Sequence, residues 1–469
     1  MILAHDLGTT GDKASLYSGT GELVASATVP YATDFGPRGK AEQNADDWWQ
    51  AVAEATRALL AQADVLPLDV ACVVFSGQMM GALLLDRAGQ PVRPAIIWAD
   101  TRSTAECSLL LERVGLERAY QITGHRLNPT YSLSKIMWVR ANEPDAFART
   151  HAVVLAKDYI VFRLTGRLVT DPSDASSTNA FDQRTGAWSQ ELLAAAELDP
   201  ALLPEVVPSA TIVGTVTPAA AAITGLRAGT PVVLGGGDGP CAALGAGIIS
   251  PASGAYVYLR SSSWVSLAAE RPLYDAQMRT MTFNHVIPGA FVPTATMQAG
   301  GAAMEWIADV LTPGRDSGRY NRLVEAADAV EAAEDGLLFL PHLLGERSPY
   351  WNPRARGAFV GLAKHHGPAQ LTRAVLEGVA MNLWTGLRAF EELGSAIEAV
   401  DAIGGGARSD LWLQILADMW GVPVRRRSLV DEANSLGAAV VGGVAVGLFD
   451  SYDVAPHLSA IERSFEPDA

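Results

Sequence analysis

The chain has 469 residues, 49% hydrophobic and 18% charged, which is enough for two domains, each with its own core. Thirty-five Lys and Arg against 51 Asp and Glu leave a formal charge of −16, which argues against nucleic acid as a partner, although a local pocket can still take an anionic substrate. No apolar run is long enough to cross a bilayer, no basic-then-apolar segment opens the chain, and the 3 cysteines form no CxxC pair, so a soluble cytoplasmic protein with no membrane partner and no structural zinc is expected.

Residues 2–5 read as a strand, Ala14–Tyr17 as a second and Glu22–Val29 as a third. The loop between the first two, Asp6-Leu7-Gly8-Thr9-Thr10-Gly11-Asp12-Lys13, can offer backbone N–H groups and hydroxyls to a phosphate, while its acid can hold a hydrated Mg²⁺. Asp46-Asp47-Trp48-Trp49 opens an amphipathic helix through Gln62, with the tryptophans read as core. A strand at 70–75, with Cys72 packed inside, runs into Gln78-Met79-Met80. Further strands at 82–85 and 95–98 follow, the latter ending in Trp98 and Asp100. Gln78, Trp98 and Asp100 would make a polar, partly aromatic pocket suited to a polyhydroxylated ligand. The SxxK match at Ser132–Lys135 lacks the companion motifs of serine acyl-enzymes and is read as chance. Lys157-Asp158-Tyr159 begins a helix, and 171–176 reads as a polar loop rich in turn formers.

The stretch Val232-Val233-Leu234-Gly235-Gly236-Gly237-Asp238-Gly239 is the one the rest is organised around: a buried strand, a glycine turn and a carboxylate at its tip, with a helix after it. Beyond it, strands 254–259 and 264–267 flank Arg260-Ser261-Ser262-Ser263, repeating the layout of residues 2–17 and suggesting a duplicated α/β fold that grips one phosphate chain from both sides. Helices are expected at 298–311 and 368–393, with the loop 345–350 between them. Strand 399–403 runs into Gly404-Gly405-Gly406-Ala407-Arg408-Ser409, followed by a helix over 410–420; its spacing is neither Walker A nor GxGxxG. Small residues in a helix over 434–447 are read as tight packing.

Together, Asp6-Leu7-Gly8-Thr9-Thr10, Gly77-Gln78-Met79, Ile97-Trp98-Ala99-Asp100, Lys157-Asp158-Tyr159, Gly235-Gly236-Gly237-Asp238, Gly345-Glu346-Arg347-Ser348-Pro349 and Gly404–Ser409 resemble, in order, the blocks of the FGGY family of carbohydrate kinases, and within it the xylulokinase-like members. Residues 357–362 and 370–377 resemble its C-terminal signature. The resemblance implies an α/β fold of two actin-like (ribonuclease-H-like) ATPase domains with an interdomain cleft, here 1–243 mainly for sugar and 244–469 mainly for ATP. It implies ATP and Mg²⁺ as cofactors, a sugar as the other small-molecule partner, and allows a homodimer. By the same resemblance Asp238 is the catalytic base and Asp6 the acid that positions Mg²⁺. Gly8, Thr9, Thr10 and Lys13, with Arg260, Ser261 and Ser262, fall on the phosphates; Gly405, Gly406 and Ser409 fall near the adenosine. Gln78, Met79, Met80, Trp98, Asp100 and Asp238 fall on the sugar side. The expected reaction is D-xylulose to D-xylulose 5-phosphate. Another ketose or polyol is the alternative within that class, and a catalytically impaired sugar-binding relative the alternative outside it. Three positions depart from the pattern: Met80 stands where a His is usual, Gly239 where an amide side chain is common, and Arg260 where the second phosphate turn usually has Gly.

Overall fold

Side chains of the first strand alternate between two packed layers. In β1 (Ile2–Leu7), Leu3 and Leu7 go to one face and Ile2 and Ala4 to the other, as a period of two requires. The computed structural model describes residues 1–468 other than 313, 315, 317, 334 and 335. β2 (Gly11–Tyr17) and β3 (Leu23–Pro30) continue as an antiparallel meander. Helix α1 (Ala45–Gln62), capped by the Asn44 side chain, covers the Leu3 face with buried Trp48, Trp49 and Val52. β4 (Cys72–Gly77) then lies parallel to β1. After α2 (Ala156–Thr165) and α3 (Pro172–Ser176) come β5 (Ile212–Thr215), β6 (Pro231–Val233) and the two-residue β7 (Gly236–Gly237), and then α4 (Asp238–Gly245). The sheet order is β5-β6-β4-β1-β2-β3, with β7 also on β4.

The second half repeats the plan. β8 (Ala255–Leu259) and β9 (Ser263–Leu267) form a hairpin; β10 (Met281–Asn284) and β11 (Phe291–Met297) extend it. Then come α5 (Gly301–Leu311), α6 (Pro368–Glu392), β12 (Val400–Ile403), α7 (Asp410–Trp420), β13 (Val424–Arg427), α8 (Ala433–Ala445) and β14 (Ile461–Phe465), giving the order β10-β11-β9-β8-β12-β13-β14. In the first sheet three antiparallel strands, and in the second four, are followed, beside the first of them in the chain, by two parallel strands and an antiparallel edge. The duplication suggested by two faintly similar hairpins is therefore a duplication of topology.

Helices α4 and α8 lie between the sheets. Cys241 and Leu244 of α4 pack with Ile2, Ala4 and Val74 of the first sheet, while Ala242 and Ala243 pack with Tyr256, Tyr258 and Ile403 of the second. The two helices touch backbone to backbone: a Cβ on Gly437 would lie 1.9 Å from the Cys241 carbonyl oxygen, and one on Gly245 1.9 Å from that of Ala433. The small residues of this helix are a packing device, as read from the sequence.

Several boundaries differ from the expectation. The β1–β2 ladder runs on to Leu7↔Asp12, so Asp6 and Lys13 are strand residues facing each other in register and only residues 8–10 turn. The strand expected over 95–98 is confined to Ala95–Ile96, and the helix expected from 298 begins at Gly301, whose N–H is taken by the Arg260 carbonyl. The polar stretch 171–176 is not a loop: Asp171 caps the buried helix α3, with Pro172 in its first turn. The Ser132 hydroxyl donates to the Gly81 carbonyl and the buried Lys135 ammonium to that of Met80, so the SxxK pair braces backbone. No described helix is long and apolar enough to cross a membrane.

Candidate active site

Register alone brings the two acids to one edge of the first sheet. Asp6 on β1 pairs with Ser76 on β4, Ser76 pairs with Gly236, and Gly237 pairs with Gly77, so Asp238 emerges beside Asp6 at the ends of parallel strands. The glycine turn is obligatory here. Gly235 has φ +75° and no room for a side chain against the Phe75 backbone, and a Cβ on Gly237 would meet the Met79 thioether at 2.7 Å.

Asp6 Oδ1 accepts the Ser76 hydroxyl at 2.9 Å and the Asn434 amide at 3.4 Å. Burial raises its pKa above the usual carboxylate range, against the pull of Ser76, Arg260 and Asn434. Asp238 accepts its neighbour's Gly239 N–H at 2.8 Å; burial, then repulsion from Asp6, push it up to about 7. The exposed Arg260 guanidinium, 5.6 Å over the Tyr258 ring, opposes both shifts. Among the described residues no group of three or more His, Cys, Asp or Glu could hold a metal by itself. Mg²⁺ suits such a site, because it is held by one or two carboxylates and completes its shell with phosphate oxygens and water.

Two turns face this edge. In the first, Gly8 donates to the Gly11 carbonyl and accepts the Tyr31 hydroxyl, Thr9 Oγ1 accepts the Trp98 indole N–H at 2.8 Å, and Thr10 is exposed. Lys13 is not free: its ammonium sits on Glu432 Oε1 at 2.8 Å and the Asp431 carbonyl at 2.9 Å, tying β2 to the start of α8. In the second, the Arg260 and Ser261 carbonyls accept the first N–H groups of α5, leaving Ser261 exposed and Ser262 half-buried. The β8–β12 pairing places Gly404–Ser409 beside that turn: a Cβ on Gly406 would meet Leu259, Gly405 has open space around it, and the Ser409 hydroxyl caps α7.

The sugar-side residues divide. Met79 and Met80 cluster with Tyr131, Met281, Phe283, Trp98 and Trp351, and Met80 holds a left-handed φ of 63°. Gln78 and Asp100 are buried: Gln78 donates its amide N–H to Gln43 at 2.7 Å and leaves its Oε1 without a partner among the described residues, while Asp100 accepts from the Ala41 N–H and the Arg102 guanidinium. Ser76, Asn434, Glu432 and the aromatic wall were missed from the sequence. Asn434 lies in the first turn of the small-residue helix α8, in the run Asp431-Glu432-Ala433-Asn434-Ser435, and those polar residues were the only local signal.

Two family models match the chain: the N-terminal domain of the FGGY family of carbohydrate kinases over residues 1–245 and that family's C-terminal domain over 256–446. The xylulose kinase of Escherichia coli (strain K12) is 36% identical over 472 residues, covering 100% of this chain and 95% of that protein. A gluconokinase of Bacillus licheniformis is 33% identical over 468 residues, covering 97% and 89%. Among solved structures, ligand bound xylulose kinase from Lactobacillus acidophilus superposes with a TM-score of 0.93 at 25% identity, covering 100% of this chain and 94% of that one.

Proposed function

The chain belongs to the FGGY family of carbohydrate kinases, and on that premise we propose that it transfers the γ-phosphoryl group of ATP to D-xylulose, giving D-xylulose 5-phosphate, at the edge shared by Asp6 and Asp238. The pairing of these two carboxylates carries the reading: one poised near neutrality to take a proton, the other hydrogen-bonded and fixed. Asp238 accepts the proton of the sugar hydroxyl as its oxygen bonds to phosphorus, and the bond from phosphorus to ADP breaks. Asp6 would hold Mg²⁺, which neutralises phosphate charge when bound. Arg260 adds a guanidinium on the same side, and the 8–10 and 260–262 turns supply N–H and hydroxyl donors. In this proposal residues 1–243 carry the sugar and 244–469 mainly the nucleotide, and the chain works as a homodimer through apolar surface that includes the exposed Leu338, Leu340 and Val360.

D-Xylulose is favoured by the relative at 36% identity. Gluconate is the second reading, favoured by the gluconokinase relative and by Arg347, whose guanidinium reaches Tyr131 beside Met80 and whose Nε and Nη2 are buried with no carboxylate among the described residues to pair them. A guanidinium fork suits a carboxylate better than a keto group. ADP release with Mg-ATP against D-xylulose, gluconate, other ketoses and polyols separates them. Turnover on one acceptor, lost by at least a hundredfold in Asp238→Asn, is expected. Undiminished kcat in that variant would remove Asp238 from the chemistry, and no turnover on any acceptor would favour a sugar-binding role.

A further inference from the structure

Behind the glycine turn lies a fully buried group of four ionisable side chains. The Lys157 ammonium is 2.6 Å from Asp158, 3.0 Å from Asp171 and 3.0 Å from Asp174, and none of the four side chains is exposed. Burial opposes the Lys157 charge, but the three carboxylates outweigh it and hold it well above the ordinary lysine range; burial and its acidic neighbours drive Asp174 well up despite the lysine. Charge at this density in a core is costly unless its lone pairs are used, and those of Asp171 converge on the turn. Asp171 Oδ2 accepts the Ser173 hydroxyl at 2.6 Å and the Ser209 hydroxyl at 2.7 Å. Ser173 Oγ in turn accepts the Gly237 N–H at 2.8 Å, and the Ser209 carbonyl accepts the Gly235 N–H at 3.0 Å. One carboxylate oxygen thus holds both serines that hold the two ends of the turn. The fit depends on glycine, since a Cβ on Gly236 would come within 2.8 Å of Ser173 Oγ and 3.4 Å of Asp171 Oδ2. The same short helix reaches the sugar side, where Ser177 Oγ accepts the Met80 N–H at 3.1 Å.

We propose that Lys157, Asp171, Ser173 and Ser209 are positioning residues for the phosphoryl transfer: the buried ammonium anchors Asp171, and Asp171 fixes the backbone from which Asp238 projects. The role rests on the assignment of Asp238 as base, and it gives a purpose to the Lys157-Asp158 block and to the 171–176 stretch. Neither touches a reacting atom.

Ser173→Ala is the variant of choice, because Lys157→Met would leave three buried carboxylates unbalanced and threaten folding. Ser176→Ala is its matched control: the same helix and an equally buried hydroxyl, but one that accepts from Asn284 N–H instead of the catalytic turn. Ser173→Ala is expected to lower kcat at least tenfold with KM for ATP and acceptor within twofold, and to speed hydrogen–deuterium exchange of the Gly237 amide at least tenfold. Ser176→Ala should change neither. Equal kcat losses in the two variants, a loss confined to KM, or an unaltered Gly237 exchange rate would overturn the proposal. The exchange measurement needs no sugar, so it tests the positioning role even if the wild-type protein phosphorylates nothing in the panel.

Discussion

Burial and the field of Asp6 hold Asp238 up, and the charge of Arg260 favours ionisation of both acids. The base form of Asp238 is its carboxylate, so activity must rise with pH as the proton leaves, half-maximal near the value of about 7 set by burial and Asp6. Arg260→Gln removes an attraction that lowers this pKa, so the acid limb should move to higher pH and the rate on its acid side fall by roughly three- to tenfold. A pH profile of kcat/KM for wild type and variant checks it; coincident limbs would mean that Arg260 points to solvent and does not act on the base. At this scale the sequence is legible where the signal is local. An apolar strand followed by glycines and an acid can deliver that acid to an edge, and Asp238 follows from chemistry printed in eight consecutive letters. Ser76 and Asn434, the partners of Asp6, stand 70 and 428 positions away along the chain. Only the fold makes them neighbours. Asp100 has one partner of each kind: Arg102 lies two residues on, whereas the Ala41 N–H comes from 59 positions away.

Elements were legible according to how far their side chains obey the common rule of apolar inside and charged outside. α1 and α7 obey it and appear where periodicity puts them. α3 breaks it: Asp174 and the capping Asp171 are buried against Lys157, which stands on another helix. The α4–α8 contact was readable from small residues, and it carries a stability prediction. Alanine at Gly437 would gain about 1 kcal/mol of helix propensity. Against this, a Cβ 1.9 Å from the Cys241 carbonyl oxygen must force the helices apart, and overpacking costs about 1–3 kcal/mol, occasionally more. Gly437→Ala should therefore lower Tm by about one to a few degrees, whereas Gly405→Ala, with nothing within 4 Å, should leave it unchanged. Thermal unfolding of the two variants side by side decides; equal Tm values would show that the helix contact gives way without loss.

The molecule as a whole repeats one sheet plan twice, with α4 and α8 shared between the copies. Its outer surface includes the cross-strand pair Leu338 and Val360, both more than a third exposed, as are Leu340 and Leu362. A homodimer that covers this surface should scatter light as twice 49.5 kDa, and Leu338→Glu should return it to a single chain. A wild-type mass of one chain at micromolar concentration would dismiss the dimer. The shared helix has a kinematic consequence as well. Asp238 is the first residue of α4 and Gly245, at the side-chain-free crossing, is its last. Any rotation of one sheet against the other about that crossing displaces points in proportion to their distance from it. Asp238 stays within the 8 residues of the shared helix from that crossing, about 12 Å, so such a rotation moves it little.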